Sequence, residues 1–325
     1  MKPLGLFSLL LLFLSAPVPV RAEKLTLAHV AINPGQGLLW VARDSGLLAK
    51  YGFTADVVLV PGSPRTVQAL IAGDLDYVVA GAAAVLRARM QGAGVFILSS
   101  LSSYSSQRVL VRPDSPIKNL TELRGKIIGV TQFGSAGDTF LRAALKKSGL
   151  KETDVTVLQM GGTPGVTQAM EAGRIEVGVL GESGMLLVFR GRARQLKGAS
   201  SRELGFFGLD APLATTERKI KSDRGAVLRF AQAYVEALHY FKTNKAGTVR
   251  ILQKHMRGLE EEHLAIWYDE IRDSIKQPAP YPAEEGLRSE LEQIGAPKSF
   301  TPPYFVDTTI LDDLKKAGFL ERLYK

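Results

Sequence analysis

A twenty-residue segment of this chain returns one hundred positions further on with eight identities, and a duplication of that kind restricts the fold more than any single motif. GSPRTVQALIAGDLDYVVAG at 62–81 aligns with GTPGVTQAMEAGRIEVGVLG at 162–181. Gly62, Pro64, Gln68, Ala69, Ala72, Gly73, Val79 and Gly81 return as Gly162, Pro164, Gln168, Ala169, Ala172, Gly173, Val179 and Gly181. Each copy reads as a glycine turn, a helix opening on proline, a second glycine turn and a strand ending in glycine. Ser63 is placed to cap the first of these helices. Two lobes built on this unit would set matching strand ends and helix N-termini on both walls of a cleft. Ligands of open α/β sheets sit in that position, beyond the carboxyl ends of the strands.

Strands alternate with helices around both copies, which predicts an α/β fold whose mostly parallel sheets are covered by helices on both faces. Strands are expected over 24–30, 54–60, 76–80, 95–100 and 107–111 in the first lobe. A polar, proline-containing segment at 112–119 then reads as the crossover into a second lobe, with strands over 126–130, 154–158, 176–180 and about 194–196. From residue 223 the pattern is helical, with apolar stripes and no strand signals, giving a helical C-terminal extension around the first lobe. Its aromatics, Phe230, Tyr234, Tyr240, Trp267 and Tyr268, fall within the helices and read as core. The domain plan is therefore a segment at 1–22, lobe 1 from 23–112 and 211–325, and lobe 2 from 113–210.

The sharpest local element is LRGKIIGVTQFGSAGDTFLRAAL at 123–145. An apolar β-branched run leads into a polar turn at 131–137 and then an amphipathic helix. Such an element directs backbone N–H groups at whatever lies above the turn, favouring a polar or anionic group. Its glycines fit neither GxGxxG nor GxxxxGK[ST], so nucleotide loops are unsupported.

Lys2, an apolar run at 4–14 and the small-residue site Val20-Arg21-Ala22 form a signal-peptide pattern with cleavage after Ala22. This predicts a protein exported through a signal peptide, periplasmic or otherwise extracytoplasmic. The chain contains no cysteine, which excludes disulfides, thiol catalysis and a lipid anchor on a processed cysteine. The formal charge of +9 includes Lys2 and Arg21, and the remaining basic residues are dispersed rather than interleaved with aromatics. No nucleic-acid partner is expected from that pattern.

The four histidines, His29, His239, His255 and His263, show no metal-ligand spacing. Neither a metal nor a cofactor is expected. The GESG at 181–184 is not a GxSxG elbow. Glu182 follows a strand, so it either accepts a hydrogen bond from a cationic or amino-bearing ligand or occupies a surface turn. Arg65, in the first turn of the first repeat helix, either meets an anion or faces solvent.

Taken in order, WVARDSGLLAKYGFTADVVLV, ALIAGDLDYVVAG, the 123–145 element and DVTVLQMGGTPGVTQAMEAGRIEVGVL resemble the periplasmic solute-binding proteins of ABC importers. The resemblance is to the group handling nitrate, taurine, aliphatic sulfonates and thiamine-pyrimidine precursors. It implies a two-lobed periplasmic binding protein fold of type II that closes on a small polar or anionic organic solute. A monomer docking on an ABC permease with its ATPase is implied as well. Carried onto this chain, the family's contact regions fall at Asn33, Gln36, Ser63, Gly81, Ala82, Gln132, Phe133, Gly134, Ser135, Thr163 and Glu182. The alternatives are an enzyme on the same scaffold, desulfinase-like or of cofactor biosynthesis, and a sensory module without transport. The missing cysteine and the positions of the histidines weigh against the enzyme.

Overall fold

Aliphatic and β-branched runs set the strands, as read from a computed structural model that describes residues 22–324. Of the signal segment expected at 1–22, residues 1–21 lie outside the described residues. The strands are β1 (Glu23–His29), β2 (Phe53–Leu59), β3 (Tyr77–Val79), β4 (Val95–Ser99), β5 (Ser102–Tyr104) and β6 (Arg108–Val111). They continue as β7 (Ile127–Val130), β8 (Thr156–Gln159), β9 (Val177–Leu180), β10 (Arg194–Ser200), β11 (Phe207–Asp210) and β12 (Leu213–Thr216). Among the described residues they make two five-stranded sheets, ordered β2-β1-β3-β12-β4 and β10-β6-β9-β7-β8, and a two-stranded ribbon of β5 and β11.

The two sheets share one plan. β2, β1 and β3 run parallel, and β12 lies antiparallel between β3 and β4. Likewise β8, β7 and β9 run parallel, and β6 lies antiparallel between β9 and β10. The repeated strand, β3 in one copy and β9 in the other, is the middle strand of its sheet. Both faces of the central strands are buried, as parallel strands require, while the edge strands β2 and β8 are partly exposed. Tyr77 and Val79 enter one core and Val78 the core behind it. Val109 and Val111 similarly oppose Leu110 in the second sheet.

The structure departs from the sequence reading at the crossover. Residues 107–111 were expected in the first lobe and the crossing at 112–119, but β6 belongs to the second sheet. The chain crosses earlier, along β5, and returns along β11, which pairs with it antiparallel. Val109, Leu110 and Val111 are fully buried beside β9, and an apolar run carries no cue to which of two sheets will bury it. β12 was not anticipated either. Its Thr215 is tolerated at full burial because its hydroxyl donates to the Asp76 carbonyl at 2.7 Å.

The C-terminal helices cover the first sheet. Arg224–Thr243 starts at Asp223, whose Oδ1 accepts from the Ala226 N–H at 2.8 Å, and it lays Phe230 flat on Tyr77 with ring centroids 3.7 Å apart. The extension is not confined to lobe 1. From helix Glu261–Ser274, His263 and Trp267 reach Phe189 of the second lobe, at 5.1 and 6.0 Å between centroids. Of the five aromatics read as core, Phe230, Tyr234, Trp267 and Tyr268 are buried, and Tyr240 is half-buried at the edge of the core.

Truncating Phe230 to alanine removes the ring that joins the extension to β3. The expected loss is about 3–5 kcal/mol, read as a lowered urea midpoint with an unchanged slope.

Candidate functional site

The turns at the carboxyl ends of the parallel strands face one another between the two sheets. After β1, Gln36 Oε1 accepts from the N–H groups of Val30 and Ala31 at 2.9 and 3.0 Å, and Asn33 Oδ1 accepts from the Gln36 N–H at 2.8 Å. These two side chains build the turn and still line the cleft. Ser63 lines it too, but not as a cap. Gly62 holds the N-cap position, and the Ser63 hydroxyl accepts from the Gly81 N–H at 2.9 Å, tying the two ends of the repeat together. From the second sheet, Thr163 and Ser183 meet through their hydroxyls at 3.3 Å.

The 123–145 element forms as the sequence suggests, with a shift in which donors are free. Ser135 caps helix Ala136–Lys147 by accepting from Asp138 N–H, and Asp138 Oδ2 accepts in return from Gly134 N–H at 2.8 Å. Gly134 is therefore already engaged. The helix N–H groups of Ala136 and Gly137 carry no hydrogen bond among the described residues, and both residues line the cleft. The donor surface lies two residues beyond Gly134.

Of the expected contact positions, Asn33, Gln36, Ser63, Gly81, Ser135, Thr163 and Glu182 line the cleft, whose interior volume is about 80 Å³. Ala82 is buried behind its wall, Arg65 is exposed, and Phe133 is half exposed. Gln132 sits at the rim. A Cβ on Gly62 would fall 2.3 Å from the Gln132 side chain, and one on Gly162 would fall 2.6 Å from Pro61. Both glycines also hold positive φ, +91° and +154°, so each copy of the repeat places a glycine where the opposite lobe comes closest.

Glu182 does not offer a free acceptor. Its Oε1 pairs with Arg108 at 2.7 Å and its Oε2 accepts the Trp267 indole N–H at 2.8 Å. Three residues that the sequence did not single out complete the site. Arg87, half-buried on helix Ala82–Met90, donates across the cleft to the Gly134 carbonyl at 3.0 Å and to the Thr139 hydroxyl at 3.1 Å. Asp210, at the end of β11, and Glu290, on helix Glu284–Gln293, both line the cleft. A signal for Glu290 was present, since it lies on the stripe that buries Leu287 and Leu291. Burial pushes the Asp210 carboxyl up to about 7, with the charge of Glu182 adding to the effect. Burial likewise pushes Glu290 up to about 7, against the pull of Arg87.

A larger cavity of about 1010 Å³ lies on the other side of Ser105, Ser106 and Gln107, bounded by Tyr104, Arg202, Glu270 and Lys276. Glu182 and Asp210 border both spaces. The histidines are packed elsewhere: His29 and His255 flank Trp40, each with ring centroids 4.8 Å from it.

Residues 33–246 match the family described as NMT1/THI5 like. The chain belongs to the NMT1/THI5-like family. A Brucella abortus (strain 2308) protein, provisionally named a binding protein, is 34% identical to it over 143 residues, 44% of this chain and 42% of that protein. The chain thus matches less than half the length of that relative. An Escherichia coli (strain K12) protein provisionally named for binding aliphatic sulfonates is 27% identical over 216 residues, 64% of each chain. Among solved structures, the alkanesulfonate-binding protein SsuA of Xanthomonas axonopodis pv. citri, bound to MOPS, superposes with a TM-score of 0.72 at 21% identity. That match covers 88% of this chain and 98% of the other. This NMT1/THI5-like chain has the two-lobed periplasmic binding protein fold.

Two outcomes follow for the acidic groups. Replacing Glu182 with alanine strands the buried Arg108 charge and should cost about 3–5 kcal/mol of stability, measured by denaturant unfolding. A carboxylate serving only a ligand would change little there. Asp210 and Glu290 bind protons more tightly folded than unfolded, where carboxyls ionise near about 4. Stability should therefore fall as pH rises from about 5 to about 7 and level off above. Glu290→Gln should flatten that slope in thermal unfolding across the range.

Proposed function

We propose that this protein is an extracytoplasmic receptor that captures a small organic solute between its two lobes and delivers it to an ABC permease. The carrying observation is the pair of opposed strand-end turns, each contributing a repeat glycine to the rim and polar groups to the enclosed space. The named relatives are binding proteins, which supports the same reading. The contact set is Asn33, Gln36, Ser63, Gly81, Ser135, Thr163, Ala136 and Gly137, with Asp210 and Glu290 at its floor. The β5–β11 ribbon is the hinge, and the lobes close as bodies about it.

Closure is what makes such a receptor work: solute stabilises the closed form in proportion to its preference for that form. Arg87, Gln132 and Pro61 supply the contacts that exist only when the rims meet. The cleft residues serve binding rather than bond chemistry. The Ser63 hydroxyl is held by Gly81 and the Ser183 hydroxyl by Thr163, and neither adjoins a histidine.

Arg87→Met removes charge-assisted bonds made only on closure, worth about 1.5 kcal/mol, so solute affinity should fall roughly tenfold. Calorimetry with a solute found by thermal shift checks this, and small-angle scattering should show a more open apo-like form at the same solute concentration. Unchanged affinity would remove Arg87 from closure. Catalytic conversion of the solute would overturn the receptor reading.

A further inference from the structure

The charge lining the cleft is one-sided. Its ionisable residues are Glu182, Asp210 and Glu290, and no lysine, arginine or histidine lines it. Glu182 is matched by Arg108 and Trp267. Asp210 and Glu290 have no ion-pair partner among the described residues. Glu290 is 4% exposed, and its one hydrogen bond there is a long 3.4 Å contact from the Leu209 N–H to Oε1, leaving Oε2 without one. A carboxyl nine-tenths buried, bordering a cavity with an oxygen unmatched, calls for a donor from inside the cavity.

The surrounding charges do not supply it. Arg87 acts on Glu290 from helix Ala82–Met90, but its Nη1 is engaged by Gly134 and Thr139. Arg108 is the cation acting on Asp210, and it is committed to Glu182. Arg202 and Lys276 border only the larger cavity beyond Ser105, Ser106 and Gln107, where Arg202 lies over the Tyr104 ring at 5.2 Å. The neutral donors of the cleft, the Ala136 and Gly137 N–H groups and the hydroxyls, suit polar acceptors on the solute. Set against two carboxyls, they do not make an anion site.

Resting on the receptor reading, we infer that the solute presents N–H donors, as an ammonium or amino group, to Asp210 and Glu290, and that sulfonates and other anions are excluded. Donor binding favours the ionised carboxyls and so releases protons near neutral pH; an anion would require proton uptake.

Thermal shift on the full-length mature protein in dilute phosphate separates the cases. One arm holds 4-aminopyrimidine, putrescine, agmatine and glycinamide; the other holds ethanesulfonate, MOPS and nitrate. Stabilisation by a member of the amino arm alone is expected, with affinity rising at least threefold between pH 6 and pH 8 (~0.65 kcal/mol by RT ln 3). Asp210→Asn with Glu290→Gln should lower that affinity tenfold or more. Stabilisation by the anion arm, or an amine affinity that stays flat or falls with pH, overturns the inference and leaves the receptor reading standing. The wild-type pH series decides the matter even if the double variant fails to fold. No stabilisation by either arm counts against the receptor reading itself and takes the inference with it.

Discussion

Glu182 ties together three parts of the chain that would otherwise be free to separate. It follows the strand of the second repeat, its ion-pair partner Arg108 opens the strand that has just crossed from the first sheet, and Trp267 comes from the C-terminal extension. A carboxylate removed from water at this depth costs several kcal/mol unless both oxygens find partners. Arg108 and Trp267 meet that demand together. The extension therefore cannot be a cap on lobe 1 alone, because its Trp267 must reach the second lobe. Burial raises the Asp210 carboxyl on the shared wall, and the charge of Glu182 adds to that effect.

The shared plan of the two sheets explains why the repeat takes the form it does. In each sheet the antiparallel fourth strand is supplied by chain that has just left the other: β6 after β5, β12 after β11. Each lobe is thus completed only by a segment that has passed through the ribbon, which keeps both crossings short. What the lobes hold in common is the unit that needs no crossing, the glycine turn, the helix and the middle strand. Its first glycine recurs because it stands where the opposite wall approaches within contact distance, at Gln132 for Gly62 and at Pro61 for Gly162. A side chain at either point would hold the rims apart.

Legibility followed the range of the interaction involved. Helices such as Ala136–Lys147 and strands such as β7 are readable because periodicity and flanking glycines are local properties. The sheet to which β6 belongs is not, because Val109, Leu110 and Val111 would be equally buried in either. β5 and β12, at three and four residues, are too short to show a period, and Thr215 is polar at full burial. Ser63 stands next to the orphan donors of its own helix, yet tertiary packing gives its hydroxyl the Gly81 N–H instead. Arg87, Asp210 and Glu290 reach the site from two helices and a strand far apart in the chain, and their meeting there depends on how the two sheets and the extension pack.

The cleft therefore carries two kinds of polarity from two levels of the fold. Helix starts and hydroxyls at strand ends provide donors, a property of any lobe built on this unit and the reason the sequence pointed to an anionic group. The carboxyls come from the ribbon and the extension, which are peculiar to how this chain joins its lobes. Donor dipoles are partial charges that fade within a turn of the helix end, whereas two buried carboxyls act at full charge once ionised. Both kinds of group line a space of about 80 Å³, and there the formal charges, once ionised, outweigh the donor dipoles.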